Sequence, residues 1–215
     1  MVNRHDLRVH ASCHADEEDF CVEVQGAAVG VIMYFKKLVG KKCYLSPIDI
    51  NDAGKFAEWL NDLELTVNLT LYNSIINVEN EKVFLENLSK EHNYSIIDLE
   101  TNELIGNCGF LEVDNLNQTG EAGIFIGNKS FWGKGYGTEA LTLLLDYGFK
   151  ALNLHNIQLR VFDYNKRGIR SYEKIGFKLI GIRRDALYRN RERHNIIFMD
   201  ILANEFYEKN KIYMK

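Results

Sequence analysis

The sequence of 215 residues has few of the features that mark metal sites, disulfide frameworks and membrane spans. Its four cysteines, Cys13, Cys21, Cys43 and Cys108, form no CxxC pair and no spacing that would assemble a tetrahedral metal site. We therefore expect reduced thiols, a cytoplasmic protein and no metal. No apolar run reaches the roughly 18 residues that a membrane helix needs, so we also expect no membrane partner.

The chain lacks an excess of positive charge. Lys and Arg number 26 against 30 Asp and Glu, which gives a formal net charge of -4. A clearly basic face is normal for nucleic-acid binding, so this balance argues against nucleic acid as a partner. The arginines between residues 183 and 193 indicate a charged, solvated turn, and a site for an acidic substrate or nucleic acid is the alternative.

One break in composition divides the chain. Residues 1–40 contain seven valines and one asparagine, whereas residues 41–215 contain five valines and twenty asparagines. We therefore predict an extension, 1–40, ahead of one domain, 41–215. Two interpretations of the extension stay open. It is either a vector-derived or misassigned start, or an accessory hairpin, "FCVEVQ" and "VGVIMYF", that packs on the domain or mediates assembly with a second subunit.

The domain alternates between strand and helix patterns, which predicts a mixed α/β (α+β) fold. Five strands are predicted in "KKCYLSPI", "YSIIDL", "ELIGNCGFLEV", "GEAGIFIG" and "IQLRVF", and two more around "RNRE". Helices are predicted in "NDAGKFAEWLNDL", "NEKVFLENLSKEH" and "KRGIRSYEKIG", and in the apolar pattern that begins near Thr138. In the first helix, Phe56, Trp59, Leu60 and Leu63 share one side.

The stretch "FWGKGYGTEALTLLLDYGF" places Gly133, Gly135 and Gly137 directly ahead of a helix. Amide N–H groups at a helix N-terminus lack internal partners, and the helix dipole there favours negative charge. A turn without side chains therefore fits a phosphate group, although it could also be a simple passage between strand and helix. The order GxGxG does not match the GxGxxG pattern of the Rossmann fingerprint. It does not match the Walker loop either, because Lys134 is not at the position of the lysine in GxxxxGK.

A second motif follows in "VFDYNKRGIRSYEKIGFKLIG", where Asn165 follows a strand and Tyr172 lies seven residues later. Together, "WGKGYGTEAL" and "N...SYEKIGF" resemble the GNAT superfamily of acetyl-CoA-dependent N-acetyltransferases, over roughly residues 42–207. The most similar branch contains ribosomal-protein N-terminal acetyltransferases and spermidine or diamine acetyltransferases. The resemblance implies a GNAT fold, with flanking helices and a central, mostly antiparallel sheet that is splayed between its fourth and fifth strands.

The resemblance also implies where acetyl-CoA, the co-substrate, would bind. Asn165 would contact it near the pantetheine, and a backbone N–H of Phe125 or Ile126 would face the thioester carbonyl and stabilise the oxyanion. Trp132 stands where many members have Gln or Arg. The pyrophosphate would lie against the loop residues Gly133, Lys134, Gly135, Tyr136, Gly137 and Thr138.

Two residues are implied as catalytic. Tyr172 would protonate the departing thiolate, and its alternative role is ordinary core packing. Glu121 would accept the proton of the amine, through water, and its alternative is a solvated residue at a strand start. Glu64 and Glu79 are weaker candidates for holding a cationic amine.

The sequence thus predicts direct transfer of acetyl from acetyl-CoA to a primary amine. The acceptor is either a small amine such as a polyamine, or a protein N-terminus, and the residues do not decide between them. A non-catalytic acyl-CoA-binding or regulatory module is the alternative function. Dimers are common in this family, so a homodimer is a further expectation of the resemblance.

Overall fold

The computed structural model describes residues 34–210, which form a domain around one eight-stranded sheet. The strand order is β1-β2-β3-β4-β5-β6-β8-β7. All neighbouring strands are antiparallel except β5 and β6, which are parallel. The strands are β1 (Leu38–Val39), β2 (Cys43–Pro47), β3 (Asn93–Asp98), β4 (Leu104–Asp114), β5 (Thr119–Ile126), β6 (Asn156–Phe162), β7 (Lys178–Arg189) and β8 (Glu192–Leu202).

Six α-helices are described between residues 34 and 210, and they flank the sheet. They are α1 (Ala53–Leu60), α2 (Leu63–Thr66), α3 (Val78–Leu88), α4 (Tyr136–Lys150), α5 (Lys166–Ile175) and α6 (Ala203–Lys209). Short 3₁₀ turns at Ile50–Asp52, Thr70–Asn73 and Lys129–Phe131 complete the connections. The mixed α/β fold expected from the sequence is confirmed, and each predicted strand and helix is present.

One detail of the first predicted helix is wrong. Leu63 does not share the buried side of Phe56, Trp59 and Leu60, because its side chain is 63% exposed. The reason is that α1 ends at Leu60, and Asp62 then caps a new short helix by accepting hydrogen bonds from the amides of Glu64 and Leu65. The helical periodicity therefore stops before Leu63.

Two apolar cores lie on the two faces of the sheet. The larger core packs α4 against the sheet through Leu141, Leu144 and Leu145, which are at most 1% exposed. The smaller core contains Phe56 and Trp59 of α1 together with Leu85 of α3. The glycine-loop helix and the α1/α3 pair are thus held on opposite faces.

The parallel strands β5 and β6 pair over only three residues and then separate. The paired positions run from Thr119 with Asn156 to Glu121 with Gln158. Beyond that point β5 continues to Ile126 and β6 to Phe162 without pairing to each other. The splayed sheet expected between the fourth and fifth predicted strands is therefore confirmed, and the separation opens a gap in the sheet.

The predicted extension is described only from residue 34 onwards. Its predicted hairpin lies almost wholly outside the described residues, so the division at residue 40 stays a prediction. Tyr34 donates a hydrogen bond from its hydroxyl to Asp52 at 2.9 Å, and Leu38–Val39 adds a strand beside β2. None of the helices in residues 34–210 has the length and apolar composition of a bilayer-spanning segment.

Candidate active site

A cavity of about 630 Å³ passes through the gap between β5 and β6. Its lining includes Leu141 and Leu159 from the larger core and Phe56 and Leu85 from the smaller one, so the cavity opens onto both faces of the sheet. The volume lies in the usual range for small-molecule sites. Of the eleven site residues predicted from the sequence, ten line this cavity: Glu121, Phe125, Ile126, Gly133, Gly135, Tyr136, Gly137, Thr138, Asn165 and Tyr172.

The glycine loop forms the part of the cavity at the N-terminus of α4. Gly133 and Gly135 have positive φ of 72° and 89°, a conformation that L side chains rarely adopt. Within residues 34–210, no oxygen accepts a hydrogen bond from the amides of residues 133–138. These unpaired N–H groups and the helix dipole suit an anionic group, so the residues present fit a phosphate or pyrophosphate ligand.

Three contacts fix this loop to the rest of the domain. Lys42 donates a hydrogen bond from Nζ to the carbonyl of Lys134 at 2.9 Å. The indole Nε1 of Trp132 donates to the carbonyl of Ile126 on β5, also at 2.9 Å. The guanidinium of Arg167, on α5, lies 4.0 Å from the centre of the Trp132 ring. The glycine loop is thus attached to β5, to α5 and to the residue that precedes β2.

The backbone of β5 presents different residues to its two sides. Gly127 donates its N–H to the carbonyl of Ile105 on β4 at 2.9 Å. Along an antiparallel pair, every second residue directs its N–H and C=O groups to the same neighbouring strand, so the backbone groups of Phe125 also face β4. Consistent with this, a Cβ added at Gly106 of β4 would lie 2.0 Å from the Phe125 carbonyl oxygen. The N–H groups of Ile124 and Ile126 therefore face the gap. Of the two predicted amides, that of Ile126 lies on the open side.

Helix α5 carries Asn165 and Tyr172 to the gap. The Asn165 side chain caps this helix by accepting a hydrogen bond from the amide of Gly168 at 2.9 Å. Tyr172 is partly buried and packs edge-to-face on Phe177, with ring centres 6.0 Å apart. Burial raises the pKa of Tyr172 to about 12, although the positive charge of Arg167 lowers it in part. The phenol therefore stays protonated at neutral pH.

Glu121 occupies the last paired position before β5 and β6 separate. It is 7% exposed, so it is not the solvated strand-end residue that the sequence left open as an alternative. Its Oε1 accepts from Arg160 Nε at 2.7 Å and Nη2 at 2.6 Å, and its Oε2 accepts from Gln158 Nε2 at 3.1 Å. A carboxylate offers about four lone-pair positions, so about one remains, on Oε2.

Some residues singled out from the sequence lie outside the cavity lining. Lys134 is exposed, and its described contact is through its backbone carbonyl. Glu64 and Glu79 have side chains that are 70% and 81% exposed, and they form ion pairs with Lys129 and Lys82. We therefore do not assign Glu64 or Glu79 to the acceptor site.

The arginine-rich turn is only partly solvated. Arg189 is 5% exposed, donates to the carbonyl of Leu69 at 2.9 Å and stacks 4.3 Å from the centre of the Tyr72 ring. The interpretation as a solvated turn is therefore wrong for Arg189. Its side chain instead holds the segment around Leu69, which lines the cavity on the α1/α3 face.

The structure adds site residues that the sequence did not single out. Arg167, Arg170 and Lys174 line the cavity from α5, and their spacing of three and four residues places them along one side of that helix. Glu81 of α3 lines the cavity as well, at 4% exposure. Its spacing of four residues from the buried Leu85 was the available signal. In the described part of the chain, no cluster of three or more His, Cys, Asp and Glu could hold a metal ion.

A sheet that separates beside a glycine loop with unpaired amides, with a tyrosine at the gap, is the arrangement that the resemblance implies for an acyltransferase. Residues 42–178 match the acetyltransferase (GNAT) domain family. The chain belongs to this family and is an acetyltransferase, as the resemblance implied.

Relatives and solved structures agree with this assignment. The uncharacterized N-acetyltransferase p20 of Bacillus licheniformis is 30% identical, over 79% of this chain and 97% of that protein. The spermidine N(1)-acetyltransferase of Escherichia coli is 28% identical, over 78% of this chain and 84% of that protein. A putative ribosomal N-acetyltransferase of Bacillus subtilis, YdaF, is 33% identical over 46% of this chain and 55% of that protein. A Vibrio cholerae spermidine N-acetyltransferase, crystallised with CoA and spermine, has the same fold, with a TM-score of 0.68, 22% identity and coverage of 77% and 98%.

Proposed function

We propose that the protein transfers an acetyl group from acetyl-CoA directly to a primary amine, which is either a small amine such as a polyamine or the N-terminus of a protein. The observation that carries this proposal is the cavity through the sheet. This one cavity extends from the unpaired loop amides to the apolar wall formed by α1 and α3 on the other face, so the two substrates can meet at the gap. Relatives that are named for spermidine and for ribosomal substrates support both kinds of acceptor.

In this proposal the loop residues 133–138 and the cations of α5 hold the phosphates of acetyl-CoA, which supplies an activated thioester. The N–H groups of Ile124 and Ile126 are the unpaired donors of β5 that can bind the pantetheine and the thioester carbonyl. Tyr172 donates its proton to the leaving thiolate, for which a phenol that is protonated at neutral pH is suited. Glu121 uses its remaining lone pair to hold a water molecule, through which the proton of the amine passes to the Glu121 carboxylate.

The test is release of free CoA thiol from acetyl-CoA in the presence of spermidine, 1,4-diaminobutane, amino acids, aminoglycosides or short peptides. We expect at least one acceptor class to raise thiol release, and Tyr172→Phe to reduce that release while acetyl-CoA binding is kept. If acetyl-CoA binds and no acceptor raises thiol release, the result favours the non-catalytic acyl-CoA-binding module. If acetyl-CoA does not bind, the assignment of the glycine loop is wrong.

A further inference from the structure

Glu81 is a buried carboxylate without a partner on the α1/α3 side of the cavity. It lies on α3, is 4% exposed, and lines the cavity. Within residues 34–210, no side chain or backbone group forms a hydrogen bond or ion pair with its carboxylate, and burial raises its pKa. An unpaired buried carboxylate is unfavourable, and a ligand that brings a positive charge removes that cost.

The surroundings of this carboxylate fit an aliphatic chain. Helices α1, α2 and α3 give this face a wall of apolar side chains: Phe56, Leu60, Leu65, Phe84, Leu85 and Leu88. Polar side chains of the cavity lining include Asn68, Asn93 and Asn107. The sheet opposite this wall contributes the cross-strand pair Gly109 and Gly123, and the side chains of Asn93 and Leu111 lie against these two glycines. Burial of methylene groups against the apolar wall is favourable, so this wall fits an aliphatic chain.

The charges of the lining point to one additional cation on this face. Arg160 is already paired with Glu121, so these two residues contribute no net charge. The other cations that line the cavity, Arg167, Arg170 and Lys174, belong to α5, whose Ile169, Tyr172 and Ile175 pack on the larger core. Arg167 stacks on Trp132, and within residues 34–210 none of the three forms an ion pair with Glu81. Glu81 therefore carries the unbalanced negative charge on the acceptor side.

We propose that Glu81 binds a second, non-reacting ammonium group of the acceptor, so that the enzyme selects diamines and polyamines over monoamines and peptide N-termini. This inference rests on the proposed acetyl transfer. The reacting amine lies at the gap beside Glu121, the carbon chain lies against the apolar walls, and the second ammonium pairs with Glu81. A monoamine of equal length fills the same walls and leaves the carboxylate unpaired.

The experiment compares 1,4-diaminobutane with butylamine as acceptors for the wild type, for Glu81→Gln and for Glu79→Gln. Glu79 is the matched control, because it lies two residues away on α3 and its side chain is 81% exposed. We expect Glu81→Gln to lower kcat/KM for the diamine roughly 10- to 100-fold, through KM, as expected for a lost charge-assisted contact. Butylamine kinetics should change less than about twofold, and Glu79→Gln should behave as the wild type.

Calorimetry of 1,4-diaminobutane binding to the CoA-saturated protein tests Glu81 without turnover. Weaker binding in Glu81→Gln, with an unchanged Kd for CoA and no fall in Tm, supports the proposal. Equal losses for diamine and monoamine, or diamine binding that is unchanged in Glu81→Gln, overturn it. Acceptors that bind through Glu81 but are never acetylated would instead overturn the proposed acetyl transfer. A peptide used in preference to every amine would overturn the selectivity.

Discussion

Arg160 holds Glu121 at the point where β5 and β6 separate, with Nε and Nη2 at 2.7 and 2.6 Å from the same carboxylate oxygen. Glu121 lies opposite Gln158 at the final register position of the two strands, and Arg160 lies two residues further along β6. The same contact therefore fixes the start of the gap and sets which lone pair of the carboxylate stays free. A catalytic role for Glu121 and a structural role for its ion pair can be separated by mutating each partner.

We expect Glu121→Gln to lower kcat by about 10²-fold, the lower end of the contribution of a positioned base. Arg160→Leu breaks the same ion pair but leaves a carboxylate in place, so its kcat should fall less than about tenfold. Both variants are compared by thiol release at saturating acetyl-CoA and acceptor. Equal losses in the two variants would mean that the ion pair, and not proton transfer, is what Glu121 contributes.

The raised pKa of Tyr172 predicts how its contribution depends on pH. A phenol that donates a proton is active below its pKa and loses this function as the pH rises through it. With a pKa of about 12, the advantage of the wild type over Tyr172→Phe should stay constant between about pH 7 and pH 10.5. The measurement is the ratio of kcat/KM values, in which the ionisation of the acceptor cancels. If the ratio of wild type to Tyr172→Phe halved near pH 10, Tyr172 would have the pKa of an ordinary phenol, and burial would not have raised it.

Much of the fold could be predicted from the sequence, because the buried strands and α4 have clear apolar patterns. The short elements could not: α2 has four residues, and the cap on Asp62 that begins it leaves no periodic signal. β1 has two residues and exists through its pairing with β2, which is a tertiary contact. Leu63 was misplaced for the same reason, since periodicity does not show where α1 ends.

The cofactor side of the candidate site has a clearer signal in the sequence than the acceptor side. The glycine loop, Asn165 and Tyr172 belong to two contiguous motifs, so their resemblance to a family locates them together. Glu81 belongs to no motif. The residue types in α3 also suggest the wrong buried side, because Val83 and Phe84 are 59% and 50% exposed while Glu81 is buried. Which acidic residue faces the cavity depends on how α3 packs against the sheet, and the sequence does not state that.

Two glycines provide opposite predictions for stability. Gly135 has a φ of 89°, so Gly135→Ala should cost about 1–2 kcal/mol of unfolding free energy and weaken acetyl-CoA binding. Gly54 lies in α1, and a Cβ added there meets nothing within 4 Å, so Gly54→Ala should add about 0.5–1 kcal/mol. Urea unfolding and calorimetric titration with CoA measure both effects. If Gly135→Ala changed neither the unfolding free energy nor the Kd for CoA, the positive φ of Gly135 would not explain why a glycine is present at this turn.

The contact between Trp132 and Ile126 carries the last prediction. Trp132→Phe keeps an aromatic ring for Arg167 to stack on but removes the hydrogen bond of 2.9 Å to the Ile126 carbonyl. Loss of this bond frees a carbonyl at the gap, which could accept from a bound amide, but it also detaches the anion loop from β5. We expect the second effect to dominate, because in the proposed complex the loop amides bind the phosphates of acetyl-CoA and need a fixed arrangement.

The Kd for acetyl-CoA in Trp132→Phe should therefore rise about fivefold, which corresponds to a hydrogen bond worth about 1 kcal/mol. Arg167→Met is the companion variant: it removes the stacking cation and leaves the indole hydrogen bond in place. Because Arg167 also lowers the pKa of Tyr172, this second variant should alter both binding and turnover, whereas Trp132→Phe should act mainly on binding. Tighter acetyl-CoA binding by Trp132→Phe would show that the Ile126 carbonyl is a better partner for the ligand than for the loop.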